Sequence, residues 1–199
     1  MSPITPVPIL TVPELERYMR ACFSEEDNVE AAVVIAAVQS ELEAKLGRPV
    51  MVRSFVDVID LGRPAWSEFV FLRPNLYLPN TPVKSGTLVV EADGVTQDLS
   101  VEWVRTWGIR DYRGAIGTDG TVTATYDAGF DGRATANAAL LLAVKRAAQR
   151  EMSWREDQTQ GTKRTSDEGY SVESVQPEGF FTAAELNGLS RYRRRRVSA

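Results

Sequence analysis

Histidine is absent from this chain and cysteine occurs once, at Cys22. The side chains behind most nucleophilic, general-base and zinc chemistry are therefore missing or single. That removes Ser-His-Asp and Cys-His constellations, multi-cysteine metal sites and any internal disulfide framework, and it fits synthesis in a reducing cytosol. Carboxylates remain. Asp57, Asp60, Glu68 and Asp98 fall in strand-patterned sequence and could include a general acid and base of the glycosidase kind, but no spacing singles out a pair, and solvated strand ends and turns account for all four. Gly161-Thr-Lys163 has the ending of a phosphate-binding loop without its earlier glycine or preceding strand. Cys22 shares a helical spacing with Leu15 and Met19, which points to a small buried hydrophobe rather than a reactive thiol. No residue is assigned a catalytic, cofactor-binding or metal-ligating role, no cofactor is expected, and the chain is not expected to be an enzyme.

The remaining chemistry is electrostatic. Arg191 and Arg193 to Arg196 hold five of the 23 basic residues with no acid beside them, leaving 18 cations against 27 acids over residues 1–190. An acidic body with a basic end admits a nucleic-acid-binding module that clamps phosphates with its arginine tail. That reading would call for a basic, aromatic-studded face on the body, and the arginine cluster is confined to the last nine residues. No secretory signal is legible in Met1–Leu10, and the longest apolar run, Ala31–Val38, falls far short of the roughly 20 residues that span a bilayer. A soluble protein with no membrane partner is expected.

The elements that must position any site centre on residues 120–152. Beyond the turn pair Asp119-Gly120, Val122, Ala124 and Tyr126 alternate with threonines as in a half-buried strand. Asp127-Ala-Gly129-Phe130-Asp-Gly132 then forms a corner, with Gly129 expected at positive φ; Tyr126, Gly129 and Phe130 are its structural residues. A helix follows over 134–152, apolar nearly all round at its start and hence buried on more than one side. Upstream, 1–10 is proline-rich and reads as an extended lead-in. Thr11-Val-Pro-Glu14 has capping-box spacing and opens a helix over 11–23; Ser24-Glu-Glu-Asp27 opens a second over 24–47. Ala31–Val38 is apolar on every side, making this helix the expected partner of the later one. Between them, 50–130 has strand periodicity: Val50, Val52, Val56 and Val58 share a face, Ser67–Leu72 forms a short run, and frequent turn pairs separate Thr87–Glu91, Leu99–Trp107 and Val122–Tyr126.

The fold class is α+β: a small helical bundle with a β-rich antiparallel insertion between its second and third long helices, followed by an extended C-terminal arm. Residues 153–169 are polar and read as a linker. The arm, 170–199, carries a third capping-box spacing, Thr182-Ala-Ala-Glu185, and a short helix over 183–190, too short to be stable without a surface beneath it. Tyr170, Phe180, Phe181, Leu186, Leu189, Arg191, Tyr192, Arg193 and Arg194 are its candidate partner-binding residues, since aromatic, aliphatic and guanidinium groups dominate interface energies.

Several of these pieces, in this order, resemble the head-tail connector (adaptor) proteins of tailed bacteriophages and phage-like gene transfer agents. They are the capped helix pair ending in Leu46-Gly47-Arg48, Leu78-Pro79 with Pro82-Val83 and Ser85, the Asp93-Gly94 turn, and Thr123-Ala-Thr-Tyr126-Asp-Ala-Gly129-Phe130 leading into the long helix. Thr182-Ala-Ala-Glu185-Leu186 to Tyr192-Arg193-Arg194 closes the set, and 11–152 corresponds to the connector domain. The chain departs from the family pattern in a long strand region, Val50–Leu72, and in a heavier arginine run, Arg191–Arg196. The resemblance implies a non-enzymatic structural protein of the virion neck, synthesised in the cytoplasm of a bacterial host. It would form a dodecameric ring under the portal protein, extend a DNA channel that passes DNA without reading its sequence, and present a platform to a downstream tail or stopper protein, with the arm docking on the portal or a neighbouring subunit. An acidic body suits such a channel, because clustered Lys and Arg would hold the phosphate backbone.

Overall fold

The structure is a computed structural model describing residues 8–61, 75–99, 104–110, 120–159 and 179–193. It is an α+β fold whose chain divides into two compact units, one built on Gly47–Asp131 and the other on Pro8–Leu46 with Gly132–Arg193.

The helical unit opens with Ile9 and Leu10 fully buried, so the end of the lead-in is part of a core. The Ile9 N–H donates to the buried Gln39 side chain at 2.9 Å, and Arg133 Nε donates to the Ile9 carbonyl at 3.2 Å. Helix α1, Val12–Met19, is a turn shorter than the expected 11–23, because Arg20 adopts a left-handed conformation (φ 58°) and caps it. Cys22 thereby leaves the inner stripe and is exposed, correcting its reading as a buried hydrophobe. Helix α2, Glu25–Leu46, matches expectation to within a residue at each end. Its capping box forms as its spacing predicts: the Ser24 hydroxyl donates to Asp27 at 2.7 Å and accepts the Asp27 N–H at 3.2 Å. The Ser24 backbone N–H and then its hydroxyl hold the Asp27 carboxyl below its ordinary pKa.

The later helix begins with a 3-10 turn, Thr135–Asn137, and continues as α3 over Ala138–Thr159, running into the stretch expected as linker. Within that extension Arg155 pairs with Glu151 one turn back at 2.9 Å and with Glu30 of α2 at 2.6 Å. Helices α2 and α3 pack along each other as expected. Val34, Ile35, Val38 and Leu42 of α2, and Leu140, Val144, Ala147 and Ala148 of α3, are almost wholly buried.

The β unit holds two antiparallel sheets where one was expected. Its strands among the described residues are β1 (Arg53–Asp60), β2 (Leu76–Tyr77), β3 (Val89–Ala92), β4 (Val95–Gln97), β5 (Val104–Arg105), β6 (Gly108–Ile109) and β7 (Thr121–Ala128). The larger sheet has the order β1-β7-β3-β4 and the smaller β2-β6-β5. Strand β7 runs along the middle of the larger sheet, its Val122, Ala124, Tyr126 and Ala128 all buried, in the alternation its sequence predicts. Val56 and Val58 do share a face, and it is the outer one; Ile59 carries the buried side of β1. Core packing is supplied by Leu61, Leu76, Leu78, Val83, Val90 and Ile109 as well as β7. Ser67–Leu72 lies outside the described residues.

Candidate functional site

The corner after β7 is built by backbone hydrogen bonds to two separate loops. Gly129 N–H donates to the Pro82 carbonyl at 3.0 Å and Phe130 N–H to the Pro49 carbonyl at 3.1 Å, while Lys84 N–H reaches the Asp127 carbonyl at 2.8 Å. Gly129 has φ 125°, as expected. Its missing side chain also matters sterically: a Cβ there would lie 2.4 Å from the Met51 carbonyl oxygen and 3.2 Å from the Pro49 ring. The Pro82-Val83 and Tyr126-to-Phe130 segments, far apart in sequence, are thus two halves of one joint. The Arg48 guanidinium lies 6.0 Å above the Phe130 ring.

Tyr126 locks the strand leading into that joint. The β1–β7 register places Phe55 opposite Tyr126 and Asp57 opposite Ala124, so Phe55 stacks on the tyrosine ring at 5.9 Å. Asp57, the diagonal neighbour on the same face, accepts its hydroxyl proton. The Tyr126 oxygen in turn accepts the Asn80 N–H at 3.2 Å. Burial, reinforced by the Asp57 carboxylate, drives the phenol pKa well above its ordinary value, so Tyr126 stays a neutral donor. Asp57 is therefore committed to a structural bond rather than to acid–base work. Across the ladder Asp57 faces Ala124 and Asp60 faces Thr121, so neither has an acid as its direct partner. Among the described residues no cluster of His, Cys, Asp and Glu could hold a metal ion. Glu68 and Gly161–Lys163 lie outside them.

The C-terminal segment is seated on the helical unit. Its capping box closes as its spacing predicts, Thr182 N–H to Glu185 at 2.9 Å and Glu185 N–H to the Thr182 hydroxyl at 3.2 Å, and opens helix α4, Ala183–Gly188, followed by a 3-10 turn over Ser190–Tyr192. Arg150 of α3 grips Glu185 with two nitrogens at 2.8 and 2.9 Å and also donates to the Phe180 carbonyl at 2.7 Å. Glu41 of α2 accepts the Phe180 N–H at 3.1 Å. Burial alone would raise the Glu185 carboxyl, but Arg150 and the Thr182 donors bring it below its ordinary pKa. Phe181, Leu189 and Tyr192 are 5%, 2% and 3% exposed. These three proposed partner anchors are spent inside the chain's own fold, so residues 179–193 do not stand apart from the helical unit, where Arg150 and Glu41 give the short helix a surface. Phe180 and Leu186 are half-buried and Arg191 and Arg193 exposed, while Tyr170 and Arg194 lie outside the described residues. The long-range pair Arg150–Glu185 left no signal in the sequence beyond the capping role of Glu185.

Among the described residues left exposed, two valine surfaces stand out. One is the outer face of the larger sheet, where Val56, Val58 and Val89 are exposed; the register sets Val56 and Val89 on either side of Thr125, and Val58 beside Thr123. The other is the outer stripe of α2, where Val29 and Val33 are exposed. No helix among the described residues is long and apolar enough to cross a membrane.

The chain matches no protein-family model and no curated protein sequence. Its fold, however, is similar over nearly the whole chain to proteins of solved gene transfer agent particles. A chain in the neck of an empty gene transfer agent particle, computed with C6 symmetry, aligns over 98% of this chain and 95% of its own length, with a TM-score of 0.55 and 20% identity. A chain in the virion of a native gene transfer agent particle aligns with the same coverage, TM-score and identity. A third, from the neck of a native particle computed with C12 symmetry, gives 0.53 and 18% over the same shares. The resemblance drawn from the motifs thus finds a structural counterpart, and the chain has the fold of a gene transfer agent neck protein.

Proposed function

We propose that this chain is a structural protein of a virion neck, of the head-tail connector (adaptor) kind. Copies form a closed ring, twelve in number, beneath the portal protein. The ring extends the DNA channel and offers its far side to a tail or stopper protein. The observation that carries this reading is the end-to-end fold similarity to neck chains, which takes in both units and the C-terminal segment rather than one widespread subdomain. The chemistry agrees with it. A chain without histidine, whose Asp57 on β1 is tied to a tyrosine, suits a role of shape rather than turnover. Its acidic body suits a wall that passes DNA without holding it. Of the candidate partner residues among the described ones, Arg191, Arg193 and the half-exposed Phe180 and Leu186 are those left to meet a portal or a neighbouring copy.

The test is incorporation. Particles assembled with the wild-type gene should carry this protein at the neck in a multiple set by the ring, visible by electron microscopy with symmetry imposed and without it. Particles assembled without it should keep filled heads that lack tails. Finding it elsewhere in the particle, or tailed particles without it, would overturn the reading. A nucleic-acid clamp would instead release the protein from particles on nuclease treatment.

A further inference from the structure

Helix α2 is apolar on the side that should face water. Its buried residues Ala31, Val34, Ile35, Val38, Leu42 and Leu46 form the face toward the core. On the opposite side, one helical turn apart, stand Val29, Val33, Ala36, Ser40 and Ala44, with no charge from Val29 to Ser40 along that line; Val29 is 69% and Val33 61% exposed. A solvent-facing helix surface normally carries charge there. Helix α3 has a complementary outer face. Opposite its buried Leu140, Val144 and Ala148 lie Ala138, Leu142 and Arg146, with Leu142 41% exposed. The flanks of the α2–α3 pair are already taken: Lys145 of α3 lies 5.7 Å from the Tyr18 ring of α1, and Glu41 and Arg150 hold the C-terminal segment. Among the described residues the two outer faces remain, one on each side of the pair.

We infer that the outer stripe of α2 in one copy packs against the outer face of α3 in the next, as the repeating front-to-back contact between copies of this chain. This deepens, and rests on, the neck-ring reading. The spacing supports a second copy as the occupant. On α2 the order along the chain is acids (Glu25, Glu26), Val29, Val33; on α3 it is Ala138, Leu142, Arg146. In an antiparallel approach each step is four residues, about 6 Å. Val33 then meets Ala138, Val29 meets Leu142, and Glu25 and Glu26 meet Arg146. Apolar groups fall on apolar groups and opposite charges on each other in a single register. Because the two faces differ and lie on opposite sides of the helix pair, the contact is heterologous and propagates from copy to copy, as a ring requires.

Paired cysteines test this directly. In a Cys22→Ser background, Val29→Cys and Leu142→Cys are combined in one chain and oxidised, both in the concentrated free protein and in assembled particles. The two positions face away from each other within a copy, so a disulfide between them must join copies. A ladder of multimers is expected from the double variant, and no more than traces of dimer from either single variant. Val33→Asp, on an exposed position, should keep the parent melting temperature while weakening self-association at least tenfold. Dimers from Val29→Cys alone at the yield of the double variant would make the contact isologous and overturn the proposal. So would a disulfide from the thiol introduced at position 29 to a different particle protein, or no species above monomer in either preparation. Wild-type protein found at the neck of particles whose double variant gives no ladder would sink this contact while leaving the neck assignment standing. Wild-type protein missing from necks would sink the assignment itself.

Discussion

Gly129→Ala isolates the joint between β7 and the chain that follows it. Two costs are superimposed. The first is conformational: at φ 125° an L side chain is in a sparsely populated region, at about 1–3 kcal/mol. The second is steric: the new methyl would sit 2.4 Å from the Met51 carbonyl oxygen. Relieving it requires backbone movement on a loop that is itself fixed by Phe130 N–H on the Pro49 carbonyl, an overpacking cost of a further ~1–3 kcal/mol. Together these reach roughly 2–6 kcal/mol, a large part of a typical ~5–15 kcal/mol stability, and at about 2–4 °C per kcal/mol a drop in melting temperature on the order of 5–20 °C. Gly94→Ala supplies the control. Gly94 also has positive φ, 74°, in the β3–β4 hairpin after Asp93 at 51°, yet nothing lies within 4 Å of where its Cβ would go. It should cost only the conformational part. Thermal melts of the two variants and the parent, followed by circular dichroism, decide the matter. Equal losses from both would refute the claim that close approach of the Met51 backbone is what demands glycine at the corner.

Three further outcomes are expected. Leu140→Asp, which puts a charge at a fully buried position of α3, should destabilise the fold by several kcal/mol, and a parent-like melt would remove Leu140 from the core. Truncation after Thr159 should lower the melting temperature of the body, since Phe181, Leu189 and Tyr192 are buried against it, and an unchanged melt would make the segment a passive extension. The Glu185 carboxyl, pushed up by burial but brought lower overall by Arg150 and Thr182, contributes stability that is present above its unfolded pKa of about 4.5 and is lost as pH falls through the lower folded value. Protection from hydrogen exchange over Phe180–Tyr192, taken relative to the intrinsic exchange rate at each pH, should therefore fall below that pH in the wild type, and Glu185→Gln should remove this part of the acid response.

What can be read from the sequence is what is local. Each capping box fixes its own four residues, so Ser24 and Thr182 announce the starts of α2 and α4 without any knowledge of the rest. The strict alternation of β7 decides which of its side chains are buried, and the glycine at its end decides where the chain turns. Apart from the early end of α1 at the left-handed Arg20, the misreadings below share one cause: they depend on partners distant in sequence. Helix α3 extends through residues with no apolar stripe, where Arg155 reaches Glu30, 125 residues away. The C-terminal segment is anchored because Arg150 finds Glu185 and Phe180. The carboxylate of Asp57 is taken by a tyrosine 69 residues on, a bond that only the β1–β7 register creates.

An apolar run also says that a surface is covered without saying by what. The all-round apolar turns of α2 are enough to predict a helical partner, and α3 is that partner on the side of Val34, Ile35 and Val38. A single partner cannot cover a whole cylinder, and Val29 and Val33 are left in water. Leaving two valines on one outer stripe exposed would cost the isolated chain little stability but would favour association, at roughly 25 cal/mol for each Å² of apolar surface withdrawn from water. The same excess in sequence thus encodes two contacts, one within the fold and one between copies. They can be separated experimentally, because substitution at Leu140 should act on melting at any protein concentration, whereas substitution at Val33 should act only on assembly.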